Sequence, residues 1–188
     1  MSTLHVRGQT AINTMRFVKE RFGAEAHERV VAALPSAKAG TFLAPIRDAA
    51  WKPLDHTLAY MEIAQRLLAP DDPTFHRQTG RYSGRATGSS AFRLLIGSSP
   101  ELAVTRSAFM WRFLYDAGRV ELVDKAPGSI SLRILYFHPP SRAWCDRIAG
   151  FLEAVVELAG AREARVDEVV CVHQGAPHCE MRGHWQTG

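Results

Sequence analysis

Three cysteines, Cys145, Cys171 and Cys179, all fall in the last quarter of a 188-residue chain, in a segment that also carries Glu168, His173, His178, Glu180 and His184. Thiol, imidazole and carboxylate donors at this density are what a zinc site needs, since the ion binds cysteine sulfur at about 2.3 Å and takes four ligands. If the last hairpin turns about Gly175, Cys171 and Cys179 are equidistant from the turn and face each other with Cβ atoms roughly 5 Å apart. Cys145 falls in the first turn of a predicted helix, where the helix dipole and free amides favour an anion, so its thiol is expected to ionise more readily. His173 shares a strand face with Cys171. Glu168, three residues away, points the other way in a regular strand and joins only across a bulge or a strand end. Geometry alone therefore prefers His173 as fourth ligand. The bland readings are incidental buried thiols or a Cys171–Cys179 disulfide, which a reducing compartment disfavours.

The elements that must position these residues follow from the hydrophobic period. Ala11, Met15, Val18 and Phe22 recur at helical spacing over 9–22, and Gly23 breaks the run. A second helix is expected over 24–34, irregular linking structure over SAKAGTFLAPIRDAA, and a third helix from Pro53 to Ala69. Asp72-Pro73 opens the next, running towards Ile96-Gly97, and Ser99-Pro100-Glu101 caps an aromatic helix that stops at Gly118. The period then changes to two. RVELVD and SISLRILYFH form one hairpin, Ser141 caps a last helix ending at Gly160, and ARVDEVVCVHQ with HCEMRGHW forms a second hairpin. The expectation is one α+β domain over 1–188, with N-terminal helices on an antiparallel sheet of about four strands.

Two surfaces stand out. Gly80, Gly84 and Gly88 leave a bare strip on one helix, flanked by Arg77, Arg81 and Arg85 at the same spacing. Close helix packing beside a solvated ridge is one reading, and docking of an acidic partner or headgroup on the three arginines is the other. Phe109, Trp111, Phe113 and Tyr136 are either plain core or the lining of an apolar cavity for a small hydrophobic or aromatic molecule.

Composition excludes several classes. At 46% hydrophobic and 22% charged residues the chain is an ordinary globular sequence, and at this size roughly 70% of its surface is buried on folding without any obligatory staple. The net charge of +4 is spread among acids, so nucleic acid is not expected. No window reaches membrane-spanning length, and MSTLHVRGQT lacks a secretory signal layout, which points to the cytoplasm. No catalytic apparatus is visible: Ser89 and Ser90 lack a nucleophile-elbow context, and there is no GxGxxG or phosphate-gripping loop.

The register Cys145, Glu168, Cys171, Cys179, with the last three in the form E-x-x-C-x-x-x-G-x-x-x-C, resembles the metal site of vinyl-4-reductase-type domains, including those of phenol-responsive activators. The resemblance implies that these four residues hold a structural zinc ion, with Glu168 in place of His173 and with Arg147, Arg165 or Arg182 as neutralising neighbours. In layout the chain also resembles the wider ligand-binding fold shared with haem nitric-oxide sensors and a Golgi-tethering acyl-binding subunit. Its central stretch resembles an uncharacterised myxobacterial family. Haem itself is not expected: no histidine stands out as a proximal ligand, and the Tyr-x-Ser-x-Arg propionate clamp has only Tyr82-Ser83-Gly84-Arg85 to match it, well before the place where such a clamp belongs. The resemblance thus implies a homodimeric cytoplasmic zinc-containing sensor for an apolar molecule, signalling through a separate output protein. A vinyl-reductase-like enzyme component and a scaffold protein are the alternatives.

Overall fold

A computed structural model describes residues 3–88, 96–97 and 99–186. Strand β1 (His5–Arg7) leads into helix α1 (Gly8–Phe22), followed by α2 (Ala24–Ala32) and α3 (Ser36–Leu43). Strand β2 (Trp51–Pro53) pairs antiparallel with β1 and opens into α4 (Leu54–Leu68). Then come α5 (Phe75–Thr87), α6 (Pro100–Leu114), the strands β3 (Arg119–Ala126) and β4 (Ser129–Leu135), and α7 (Arg142–Leu158). Strand β5 (Arg162–Val170), a single 3-10 turn at Val172–Gln174 and β6 (Cys179–Gln186) end the described chain.

The four C-terminal strands form one antiparallel sheet in the order β3-β4-β6-β5, so the α+β expectation holds. Local chemistry explains the boundaries. Ser99 Oγ accepts from Leu102 N and Ser141 Oγ accepts from Ala143 N, so both hydroxyls cap their helices. Asp72 acts a turn early: its Oδ1 accepts from the Thr74 amide and hydroxyl, and the helix begins at Phe75. The expected continuation of that helix to Ile96 lies largely outside the described residues, as do Ser89 and Ser90.

Three elements, α3 and the strands β1 and β2, depart from the expectation. The segment expected to be irregular contains α3, where Ala39 and Phe42 are buried three residues apart. The β1–β2 pair is new, and three-residue strands are too short to show alternation.

Helix α7 lies between the sheet and α5. Its contact with α5 is made through glycine: an added Cβ would lie 2.0 Å from the Arg147 carbonyl oxygen at Gly80 and 2.0 Å from the Arg77 carbonyl oxygen at Gly150. The bare strip at Gly80 and Gly84 therefore meets α7 backbone to backbone. One core cluster joins α4, α6, α7 and the sheet around Trp144, and a second fills the N-terminal helices around Tyr60 and Phe75.

Candidate functional site

A cavity of about 570 Å³ opens between α1, α5, α6, α7 and the inner face of β3–β4. The hydrophobic period brings this about. Ile130, Leu132 and Ile134 alternate on β4 and are buried on one face, where Leu132 and Ile134 reach the cavity, and α7 presents Ile148, Leu152 and Val155 to the same space. Met110, Trp111 and Leu114 of α6 supply the third wall. The polar groups are gathered on α1 and α5, at Thr10, Asn13, Ser83 and Thr87. Arg16, Asp48 and Ala49 are solvent-exposed members of the lining, which places the mouth beside them.

Arg147 sits in this wall. Its residue is only 3% exposed, one terminal nitrogen donates to Ser83 Oγ at 2.8 Å, and its Nε has no hydrogen-bond partner. Among the described residues no carboxylate lies within 4.0 Å of it. Burial draws its affinity for a proton down, partly offset by Tyr115, but a guanidinium starts so high that it stays charged. Tyr115 is buried against Trp111, which it stacks on at 4.1 Å, with the edges of Phe137 and Trp144 around it.

The four residues Trp111, Phe113, Phe109 and Tyr136 part company. Trp111 and Phe113 line the cavity, whereas Phe109 is 53% exposed and Tyr136 is 69% exposed under Arg119. Tyr136 continues the inward series of β4 by number, but its φ of 55° reverses the chain there and Phe137 is buried in its place. As cavity residues, sequence reasoning missed Arg147, which it placed beside the cysteines instead, together with Met110 and Tyr115. Burial of Tyr115 has a signal in the dense aromatic run; an arginine in a helix has none.

The arginine ridge is folded onto α7. Arg77 donates to Glu153 and to the Val166 carbonyl, and Arg81 donates to Glu153 at 2.8 Å and to Glu157 at 2.6 Å. Arg85 stays 64% exposed, 4.0 Å from Glu157.

A second cluster lies at the other end of α7. Donor atoms of Cys145, Glu168, Cys171 and Cys179 all fall within 4.8 Å of one another. A register shift between Glu168 and Val170 explains how Glu168 joins: the bulge turns its carboxylate to the side of Cys171. His173 is exposed on the 3-10 turn. Both Glu168 oxygens are buried without a hydrogen-bond partner, and the nearest cation is Arg142 at 3.7 Å, not Arg147, Arg165 or Arg182. Arg165 pairs with Asp167 and Arg182 with Glu180. The thiols also differ from expectation. Cys145 is pushed up, first by the neighbouring Cys179 sulfur and then by burial and the Glu168 charge, while Cys179 is the one drawn down. Burial and the same carboxylate push Cys171 up to about 11. The Cys179 sulfur, burial and the Glu168 charge thus push Cys145 the opposite way from the helix dipole. All three cysteines are free.

No family model matches the chain, and no curated protein does. Solved structures do match along nearly the whole length. An H-NOX protein from S. oneidensis, in its Fe(II)NO state, superposes with a TM-score of 0.73 at 15% identity, covering 96% of this chain and 99% of its own. An unliganded Fe(II) H-NOX mutant from K. algicida gives 0.69 at 12%, covering 97% of each chain. An H-NOX protein in which the function of haem distortion was probed gives 0.69 at 11%, covering 96% of this chain and 95% of its own. These matches overturn the resemblance to vinyl-4-reductase-type domains. With it go the structural zinc ion and the zinc-containing sensor that it implied, as well as the vinyl-reductase and Golgi-scaffold alternatives. No helix of the described residues is long and apolar enough to cross a membrane. What the chain shares with these proteins is the H-NOX fold.

Proposed function

We propose that the chain is a sensory domain whose cavity holds a porphyrin-type molecule by its ring and its acid groups, and not through an axial histidine or cysteine. Haem is the group this fold implies, and the lining residues fit it only in part. The cavity volume is of ligand size and its wall is mainly apolar. However, all eight histidines are among the described residues and none lines the cavity, nor does any cysteine. The Tyr115 phenol is enclosed by three aromatic rings. Nor do Tyr82, Ser83 and Arg85 converge as a clamp: the Tyr82 hydroxyl donates to Glu20, Ser83 holds Arg147, and Arg85 lies in solvent. The protein thus lacks the imidazole or thiolate that commonly ligates haem iron. The observation that carries the proposal is a chamber of porphyrin-binding fold with a buried cation and no metal donor of that kind. Titration with haemin and with iron-free protoporphyrin IX, followed by absorbance and tryptophan quenching, tests it. Both are expected to bind with affinities within about threefold of each other, or less than 1 kcal/mol. Binding of neither, or of haemin alone, overturns the reading.

The same reading includes a homodimer acting through a separate output protein in the cytoplasm. Exposed Leu122 and Val123 on edge strand β3 offer an apolar contact surface, and three buried free thiols suit a reducing compartment.

We also propose that Cys145, Glu168, Cys171 and Cys179 form a metal site for a thiolate-seeking ion, supported by the orphaned Glu168 oxygens among three sulfurs. Cobalt(II) is the probe. Wild type should take up one ion with sulfur-to-metal charge-transfer absorption, and Glu168→Gln should weaken uptake by about tenfold. Absence of these bands, or identical bands in Cys145→Ser and Cys171→Ser, counts against the site.

A further inference from the structure

We infer that Arg147 is the anchor for an acidic group on whatever molecule occupies the cavity, so that the ligand is an apolar acid and not a neutral hydrophobe. The inference rests on the proposed use of the chamber and narrows its chemistry.

A guanidinium cannot shed its charge in a protein, and its fixed fork suits a carboxylate. Where such a group is buried, an acid normally faces it, because an uncompensated buried charge is strongly destabilising. The other buried or half-buried arginines of this helix pair obey the rule: Arg77 and Arg81 both meet Glu153. Arg147, on the same helix as Glu153 and more deeply buried than either of those arginines, does not. One nitrogen is held by Ser83, the ring of Trp144 lies 5.0 Å from its carbon, and Nε is left without a partner. Its surroundings in the cavity are otherwise apolar on the α7 and β4 sides, where Ile148, Leu152 and Ile134 stand. The other charges of the lining, Arg7, Arg16 and Asp48, do not neutralise it. Arg7 is tied to the Phe113 and Ala49 carbonyls, and Arg16 and Asp48 are at the solvent side. An acid that enters with its apolar body along α6 and β4 would complete the pair. The low-dielectric wall would make that pair selective for a charged over a neutral head.

The test measures binding of four probes: protoporphyrin IX, its dimethyl ester, dodecanoate and dodecanol. Wild type should prefer each acid over its neutral counterpart by at least about tenfold. Arg147→Met should lose that preference and bind acid and neutral probe alike, whereas Arg147→Lys should keep part of it. Circular dichroism and melting of the variants establish that they are folded. Arg147→Gln, which keeps a hydrogen-bond donor for Ser83 while removing the charge, should also lose the preference and serves if Arg147→Met does not fold. Preference for dodecanoate that depends on Arg147, without porphyrin binding, would support this inference while refuting the porphyrin reading. Equal binding of acids and neutral probes by wild type, or undiminished preference in Arg147→Met, would overturn it.

Discussion

Gly80→Ala lowers the melting temperature by roughly 4–8 °C, while Gly40→Ala, the same change on another helix, raises it by roughly 2–4 °C. Both replacements favour the helix, by about 1 kcal/mol each. At Gly40 nothing else happens, because no atom from outside its own stretch of helix lies within 4 Å of the new carbon. At Gly80 the new carbon meets the Arg147 carbonyl oxygen at 2.0 Å and the Phe151 amide nitrogen at 2.9 Å. These are backbone atoms of a packed helix and cannot swing aside as a side chain would. Forcing the helices apart costs about 3 kcal/mol, at the upper end of ordinary overpacking, which leaves a net loss of about 2 kcal/mol. Gly150→Ala should behave like Gly80→Ala, since its carbon meets the Arg77 carbonyl oxygen. The double variant should lose less than the sum, because one separation of α5 from α7 relieves both clashes. Differential scanning calorimetry decides the matter, and equal shifts at positions 40 and 80 would refute the backbone contact. Since the carbonyl that Gly80 approaches belongs to Arg147, the same variant should also disturb the cavity wall.

The helices and strands were largely legible because their periods are long enough to count. Ala11, Met15, Val18 and Phe22 of α1, or Ile130, Leu132 and Ile134 of β4, repeat over several turns or pleats, and all of these side chains are buried except Met15 and Phe22, which are partly buried against the core. The site was legible only where it depends on residue type. Cysteines in a short segment are visible as candidates from spacing alone, and the four donors do converge. What spacing could not supply was the bulge after Glu168, a backbone irregularity that changes which face a carboxylate takes. The aromatic set divides, Trp111 and Phe113 in the cavity lining and Phe109 and Tyr136 exposed, for a related reason. Phe109, Trp111 and Phe113 wrap around a helix, and an aromatic run does not say which side meets the cavity. Tyr136 was misplaced by one residue of positive φ. Arg147 was expected beside the metal cluster, and its place in the cavity wall was illegible, since an arginine on a helix usually extends to water and the tertiary packing of α5 and the sheet against α7 encloses it. The donor register pointed to vinyl-4-reductase-type domains, whereas the whole-length superposition, at 10–15% identity, is with H-NOX proteins.

Glu153→Ala should lower stability by about 3 kcal/mol, roughly 6–12 °C in melting temperature, and Glu153→Gln should make the pH origin of that loss visible. The carboxylate is 5% exposed and ties three elements together: it accepts from Arg77 and Arg81 of α5 and from the Val166 amide of β5 at 3.0 Å, while α7 carries it. Truncation leaves the Val166 N–H without its acceptor and two guanidiniums without theirs. Arg81 retains Glu157 and both arginines reach solvent in part, which keeps the loss near the lower end for a broken buried pair. Burial by itself raises the affinity of Glu153 for a proton, but the hydrogen bonds from Arg77, Arg81 and the Val166 amide outweigh it, so the folded pKa lies below the ordinary value of 4.5. A carboxylate whose folded pKa is depressed binds protons more readily when unfolded. Its contribution is therefore complete above the ordinary value and is lost as the pH falls through the folded one. The stability difference between wild type and Glu153→Gln, read from urea midpoints, should be flat above the carboxylate range and shrink steadily below it. A difference that stays constant through that range would show that the residue acts by shape and not by charge.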